Sequence, residues 1–442
     1  MTGLSGFINI LDFGAVSDGT ELCTCAFSSA VDKCLEMGGG TVYVPAGTFL
    51  TGPIQLKSNI TLYLEAGSRI LFSSRKEDYP LVEARWEGVE CPGYMPMLYA
   101  RAAENISVTG TGTLDGQGEF WWDSHLKGIL EYPRPRLVYF EDCDRILIEK
   151  VQLINSPAWT VNPVRCRNIT IDKISIINPP NSPNTDGINP DSCKNVRISN
   201  CQVDVGDDCI TIKSGTEKST YRIPCENISV TNCTLLHGHG GVVIGSEMSG
   251  GVRNVVISNC IFEGTDRGIR LKTRRGRGGT VSDFRVSNVI MKDVLCPIVM
   301  HQYYFCGEGG KEKKVWDKAE YPVTGETPCF REIHFSNITA VNAHAAATFL
   351  YGLPEMPIED ITFDNVNISM AKDAVPGIPA MMKDVEPVSK MGVFCCNVRN
   401  ARFSNVSIKG HEGPAFNLKS CKDVNLSPCN PGEPDLVHAN LL

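Results

Sequence analysis

No run of about 18 consecutive apolar residues occurs in this 442-residue chain, so no helix long enough to span a bilayer is expected. Positive charge is also short. Against 50 Asp and Glu stand 42 Lys and Arg, and the net charge of −8 argues against a general nucleic-acid binder. The opening residues, MTGLSGFINILDFGAVSDG, have no basic segment followed by an apolar one, so no secretory leader is expected. CxxC pairs of zinc spacing are missing although there are 19 Cys. An odd number cannot all pair within one chain, and thiols kept reduced in a cytoplasm fit best. No Pro/Ser linker or shift of composition divides the chain. A single domain over residues 1–442 is therefore expected, with a cap region over about 1–50 and catalytic coils over about 140–300.

What the chain does have is a repeat. Four segments align without gaps: NVRISNCQVDVGDDCITIK from Asn195, NISVTNCTLLHGHGGVVIG from Asn227, NVVISNCIFEGTDRGIRLK from Asn254 and DFRVSNVIMKDVLCPIVMH from Asp283. A fifth, from Asn168, carries five extra residues at about 179–183, and weaker copies read RILIEKVQLI, REIHFSNITAV, EDITFDNVNIS and ARFSNVSIKG. Short β-branched runs separated by Asn, Asp and Gly at this period predict an all-β parallel β-solenoid. Each coil would stack on the last at about 4.8 Å. Ile188, Ile210, Val242 and Ile269 then form one inward ladder, and Ile212, Ile244 and Leu271 a second. Cys201, Cys233 and Cys260 form a third, better read as small buried hydrophobes than as metal ligands. Most N-x-S/T sequons, including Asn168 and Asn227, fall at one recurring structural position and are not expected to mark glycosylation. Residues 25–37 place Phe27, Val31, Cys34 and Leu35 on one helical face, which predicts a helix covering the open N-terminal end.

The alignment also turns sequence positions into space. One column holds Asp186, Asp208, Gly240 and Arg267; the column before it holds Thr185, Asp207, His239 and Asp266. Successive coils should present Asp186, then Asp207 and Asp208, then His239, then Arg270 and Lys272, along a strip about 15 Å long. Arg270 and Lys272 alternate with Ile269 and Leu271, so both should point outward together. Asp, Asn and Gly are common wherever coils bend. Turn chemistry alone does not account for three Asp, a His, an Arg and a Lys on successive turns. By strand parity Asp208 falls in phase with the buried Ile210, where a lone carboxylate is costly. The column is therefore expected to lie in a turn, with Gly206 supplying a bend and unusual backbone geometry at 206–208.

Three crowded carboxylates suit glycosidic cleavage: one stays protonated as the acid while ionised partners activate water. Arg270, Lys272 and the loop KTRRGRGG (272–279) suit a substrate that carries carboxylates, although a solvated loop is an equal account of Arg274, Arg275 and Arg277.

The segments NTDG (184–187), GDD (206–208), GHG (238–240) and RLK (270–272), in this order and spacing, resemble the signature segments of glycoside hydrolase family 28. Leu271 stands where Ile is commoner. The stretches GGGTVYVPAGTFLTGPIQLKSNITLYL and GSEMSGGVRNV look most like bacterial exo-polygalacturonases. The resemblance spans most of residues 9–300 and implies a right-handed parallel β-helix that inverts anomeric configuration without metal or other cofactor. It implies Asp207 as general acid, Asp186 and Asp208 as activators of water, and His239 as tuner of the acid. Asn184, Arg270 and Lys272 would bind substrate. Downstream of residue 300 the match is weak, and the segment from Met300 offers Tyr303 or Tyr304 as a candidate for a sugar subsite. The expected substrate is an acidic pectic oligo- or polysaccharide. An exo-acting α-1,4-galacturonan hydrolase leads, a rhamnogalacturonan hydrolase or rhamnogalacturonidase follows, and a polysaccharide lyase on the same fold trails.

Overall fold

A computed structural model describes residues 7–307, 309–429 and 438–440. Residues 1–6 of the stretch considered for a leader, and the far end of the 1–442 span, lie outside them. The chain divides into two compact units, Met1–Asp207 and Asp208–Leu442.

In the first unit, Gly40–Val44 pairs in parallel with Ile60–Leu64, which pairs with Glu104–Gly110. The ladder continues through Asp144–Glu149, Arg167–Asp172 and Lys194–Ser199. A second parallel sheet stacks Ile54–Gln55, Leu98–Arg101, Val138–Glu141 and Val161–Val164. The antiparallel hairpin Leu81–Trp86/Val89–Tyr94 departs from this plan. The predicted helix runs Thr24–Glu36 and buries Ala26, Phe27, Ala30, Val31 and Cys34. Leu35, expected on that face, is instead 48% exposed. The small Ala30 occupies the buried stripe one turn before Cys34, which leaves Leu35 on the flank.

In the second unit, Cys225–Thr231 pairs in parallel with Val252–Glu263, and the ladder runs on through Thr280–Lys292, Cys329–Ala343, Ile358–Met370 and Val398–Lys409. The opposite sheet begins Ile210–Ile212, Val242–Ile244, Arg267–Lys272, Cys296–His301. Its register pairs Ile210 with Val242 and Val242 with Ile269; Ile212 with Ile244 and Ile244 with Leu271, as the gapless alignment predicts. Phe335, Phe363 and Phe403 stack with centroids 4.8 Å apart, an aromatic ladder at the spacing of the coils. This is the all-β parallel solenoid expected from the repeat, a right-handed β-helix as the family resemblance implies.

The recurring asparagine also has its structural reason. Asn168, Asn195, Asn227, Asn254 and Asp283 all sit at φ between 53 and 59°, the left-handed region that Asn and Asp tolerate best among non-glycine residues. Their amides bond along the stack, Asn195 to Asn168 at 3.0 Å and Asn254 to Asn227 at 2.9 Å. Cys201, Cys233 and Cys260 are buried thiols, as small apolar residues would be.

Candidate active site

In the first unit, the chain bends twice between strands to bring acids together. The strand Gln202–Val205 ends before Gly206, so Asp207 lies in a bend rather than in the pleat. Gly206 is not left-handed; it is needed because a Cβ there would lie 2.6 Å from the Pro179 carbonyl and 2.7 Å from that of Ser182. The five extra residues thus press on the bend that carries Asp207. Asp186 and Asp207 bring carboxylate oxygens within 4.8 Å of one another. Asp186 is buried and accepts a bond from Asn189 Nδ2 at 3.2 Å, whereas Asp207 is half-buried.

Arg134 stands behind this pair, and no repeat column marks it. Its guanidinium donates to the Pro157 and Pro183 carbonyls at 2.9 and 2.7 Å, and to Asn184 Oδ1 at 2.6 Å. Burial lowers its pKa to about 10, against the pull of Asp186 and Asp207, and it stays cationic at neutral pH. Asn184 is left-handed, at φ 54°, and its carbonyl oxygen is engaged by Arg134. The sequence signal for Arg134 is slight: an arginine between two prolines, outside the repeat.

The second unit begins with Asp208, which is 1% exposed. Lys272 Nζ lies 2.8 Å from its Oδ2 and Arg270 Nη1 3.2 Å from its Oδ1. Burial works to raise its pKa, but the Lys272 and Arg270 charges outweigh that and hold the carboxyl well below the usual range. Gly240, one coil on in the same column, leaves the room: a Cβ there would lie 3.0 Å from Asp208 Oδ1 and 2.4 Å from Val243 Cγ2. An acidic cluster could hold a cation, but two protein cations already meet the charge of Asp208.

Arg270 and Lys272 do point together, as alternation predicts, yet they are buried on Asp208 instead of standing out on an open strip. Parity sets the side of the strand, and the loops that cover that side set the exposure. Arg270 Nη2 also lies 2.8 Å from the Met381 sulfur, a contact from an excursion outside the repeat. His239 is exposed, with Nδ1 2.9 Å from Asp266 Oδ2. Asp266 is its neighbour in the alignment column, where turn chemistry alone would account for it. Burial tends to raise the Asp266 pKa, and the bond to His239 and the charge of Arg267 bring it below the usual value.

The basic loop after Lys272 is neither solvated nor open. Arg274 and Arg277 both grip Glu217, and Arg275 holds Glu355 at 2.6 and 2.9 Å. Arg275 also donates to the carbonyls of Lys314, Asp317 and Ala319. These arginines clamp loops. Of the two tyrosines, Tyr303 is buried against Tyr351, whereas the Tyr304 ring lies 5.2 Å from Lys272 Nζ and 6.0 Å from Arg270 Cζ.

Residues 34–385 match the family described as Glycosyl hydrolases family 28. The chain belongs to that family. It is a glycoside hydrolase of the polygalacturonase type. It is 36% identical to a probable polygalacturonase of Vitis vinifera over 86% of this chain and 78% of that one. It is 31% identical to an endo-polygalacturonase of Pectobacterium carotovorum over 70% and 79%. Among solved structures it resembles a hyperthermoactive exopolygalacturonase from Thermotoga maritima, with TM-score 0.77, 32% identity and 92% of each chain covered.

One buried group near the cations should give the enzyme a pH-dependent stability. His301 lies beside Lys272 in the ladder, fully buried, and neither ring nitrogen has a hydrogen-bond partner among the described residues. Burial, then the charges of Arg270, Arg267 and Lys272, push its pKa well below the ordinary value. The folded state keeps His301 neutral, while the unfolded chain takes up its proton near pH 6.5. Its contribution is therefore present above about pH 6.5 and is lost as pH falls. The expected loss is about 1.4 kcal/mol of unfolding free energy per pH unit for this one proton. Urea titrations from pH 7 to 5 measure it, and His301→Asn should flatten the slope by that amount; an unchanged slope would sink the assignment.

Proposed function

We propose that this enzyme hydrolyses α-1,4-galacturonosyl linkages of pectic oligogalacturonates from a chain end, using Asp207 as general acid and Asp186 and Asp208 to activate water. The observation that carries this is the close approach of the Asp186 and Asp207 carboxyls, within 4.8 Å. Like charges at that range cannot both ionise easily, which favours one held proton near neutral pH. Asp207 is the less buried of the pair, as a donor to a leaving oxygen must be. Asp208, held ionised by Lys272 and Arg270, has the charge state of a base.

Those same cations outnumber Asp208 two to one. An arginine has five donors and a lysine three, enough to hold an internal carboxylate and a substrate carboxylate together. His239, braced by Asp266, would tune the acid, as the family resemblance implies. The exo assignment is supported by the likeness to an exopolygalacturonase, while the relatives also include an endo-polygalacturonase.

Parallel digestion of polygalacturonate, trigalacturonate and rhamnogalacturonan oligomers tests the proposal. Monogalacturonate should be the sole early product from the first two. A ladder of sizes would overturn exo action, and product from rhamnogalacturonan oligomers alone would transfer the assignment to that linkage. Products absorbing near about 235 nm would indicate elimination instead of hydrolysis. Inversion is proposed as well, although the Asp186–Asp207 approach is shorter than the about 6.5–9.5 Å usual between acid and base in inverting enzymes. Proton NMR of the first-formed anomer decides it, and a retained configuration would overturn the water-activating role of Asp186.

A further inference from the structure

The second unit holds a pocket of about 400 Å³ that no step above uses. Phe305, Trp316 and Met382 line it with the ammonium-bearing Lys311 and Lys383, and none of the described residues in its walls is acidic. Trp316 closes the short helix Lys313–Trp316, and Lys383 Nζ sits 3.7 Å from the centre of its indole ring. Two walls run straight from the cations of the site. Phe305 follows Tyr304, whose ring faces Lys272 and Arg270, and Met382 follows Met381, whose sulfur touches Arg270. At about 3.8 Å between successive residues, the pocket begins within about one sugar ring of those cations.

We propose that this pocket binds a further acidic sugar of the substrate, the unit next to the one whose carboxylate Arg270 and Lys272 hold. An aromatic wall offers a flat apolar face for the C–H side of a pyranose ring, as ligand pockets commonly do. Two ammonium groups at its edge supply the charge a uronate carboxylate requires. Met382 is a flexible filler against an irregular ring edge. The larger pocket of the first unit, about 820 Å³, has the opposite character. Asp115, Glu119 and Asp123 line it with Arg69 already paired to Asp115, and it would repel a polyuronate.

The assignment rests on the galacturonate substrate proposed above, and chain length separates the two. A dimer ends before this pocket; a trimer or tetramer reaches it. Trp316→Ala and Lys383→Met should each lower kcat/KM on tri- and tetragalacturonate about tenfold, chiefly through KM, and leave digalacturonate within about twofold. Lys383→Arg should restore most of the loss, and raised salt should shrink the difference between Lys383→Met and the unaltered enzyme. An equal loss on all three substrates, or no loss on any, overturns the pocket while leaving the substrate assignment standing. An unaltered enzyme inactive on all three galacturonates removes the substrate assignment, and this subsite with it.

Discussion

Asp207→Asn should abolish nearly all turnover and leave the protein folded. Asparagine has the shape of aspartate but cannot deliver a proton to a leaving oxygen, and loss of a general acid lowers rate by about 10²–10⁴-fold. Stability should not fall with it. Asp207 is half-buried, in a bend rather than in the sheet, and its carboxylate crowds that of Asp186 within 4.8 Å. With Asp207 protonated as the acid, asparagine replaces one neutral group by another of the same shape, so the melting temperature should hold. Measuring kcat on trigalacturonate beside a thermal melt separates the two effects. Turnover above about a tenth of the original would remove Asp207 as the acid; a drop of many degrees would show that it holds the fold.

The second large effect is expected at Lys272. Its ammonium lies 2.8 Å from a carboxylate that is 1% exposed, with Arg270 at 3.2 Å as the other partner. Breaking a buried ion pair from one side costs about 3–5 kcal/mol, because the remaining charge stays out of water. Lys272→Met should fall at the lower end of that range, since Arg270 remains. It should also let the Asp208 pKa rise, because burial raises it and the largest opposing charge is gone. Where the depressed carboxyl stays ionised through weak acid, the variant should lose its base as pH drops, so the acid limb of kcat/KM moves to higher pH. An unmoved acid limb with unchanged stability would contradict the pairing. Asp208→Asn in the Lys272→Met background should recover stability and not activity.

These effects differ in how far the chain itself announces them. The coils, the ladders through Ile210, Val242 and Ile269, and the capping helix were legible because a repeat fixes register: any residue's neighbour lies one period away. The acids in the NTDG and GDD segments were legible for the same reason. Arg134 and Met381 were not, because they arrive from segments that follow no period. In sequence, the three arginines after Lys272 suit a solvated loop and a substrate site equally. They clamp Glu217 and Glu355, partners 57 to 80 residues away that no local pattern connects to them.

Periodicity alone thus determined the parallel β-helix, the inward and outward faces of each strand and the order of the acids and bases along it. It works because hydrogen-bonded coils force residues one repeat apart into contact. Only the tertiary structure decided which charges are spent on each other: Lys272 and Arg270 on Asp208, Arg275 on Glu355. Burial sets those pairings, and burial depends on excursions such as residues 309–328 and 371–390 that lie outside the repeat. Alternation along a strand says which way a side chain points; it does not say what lies above it.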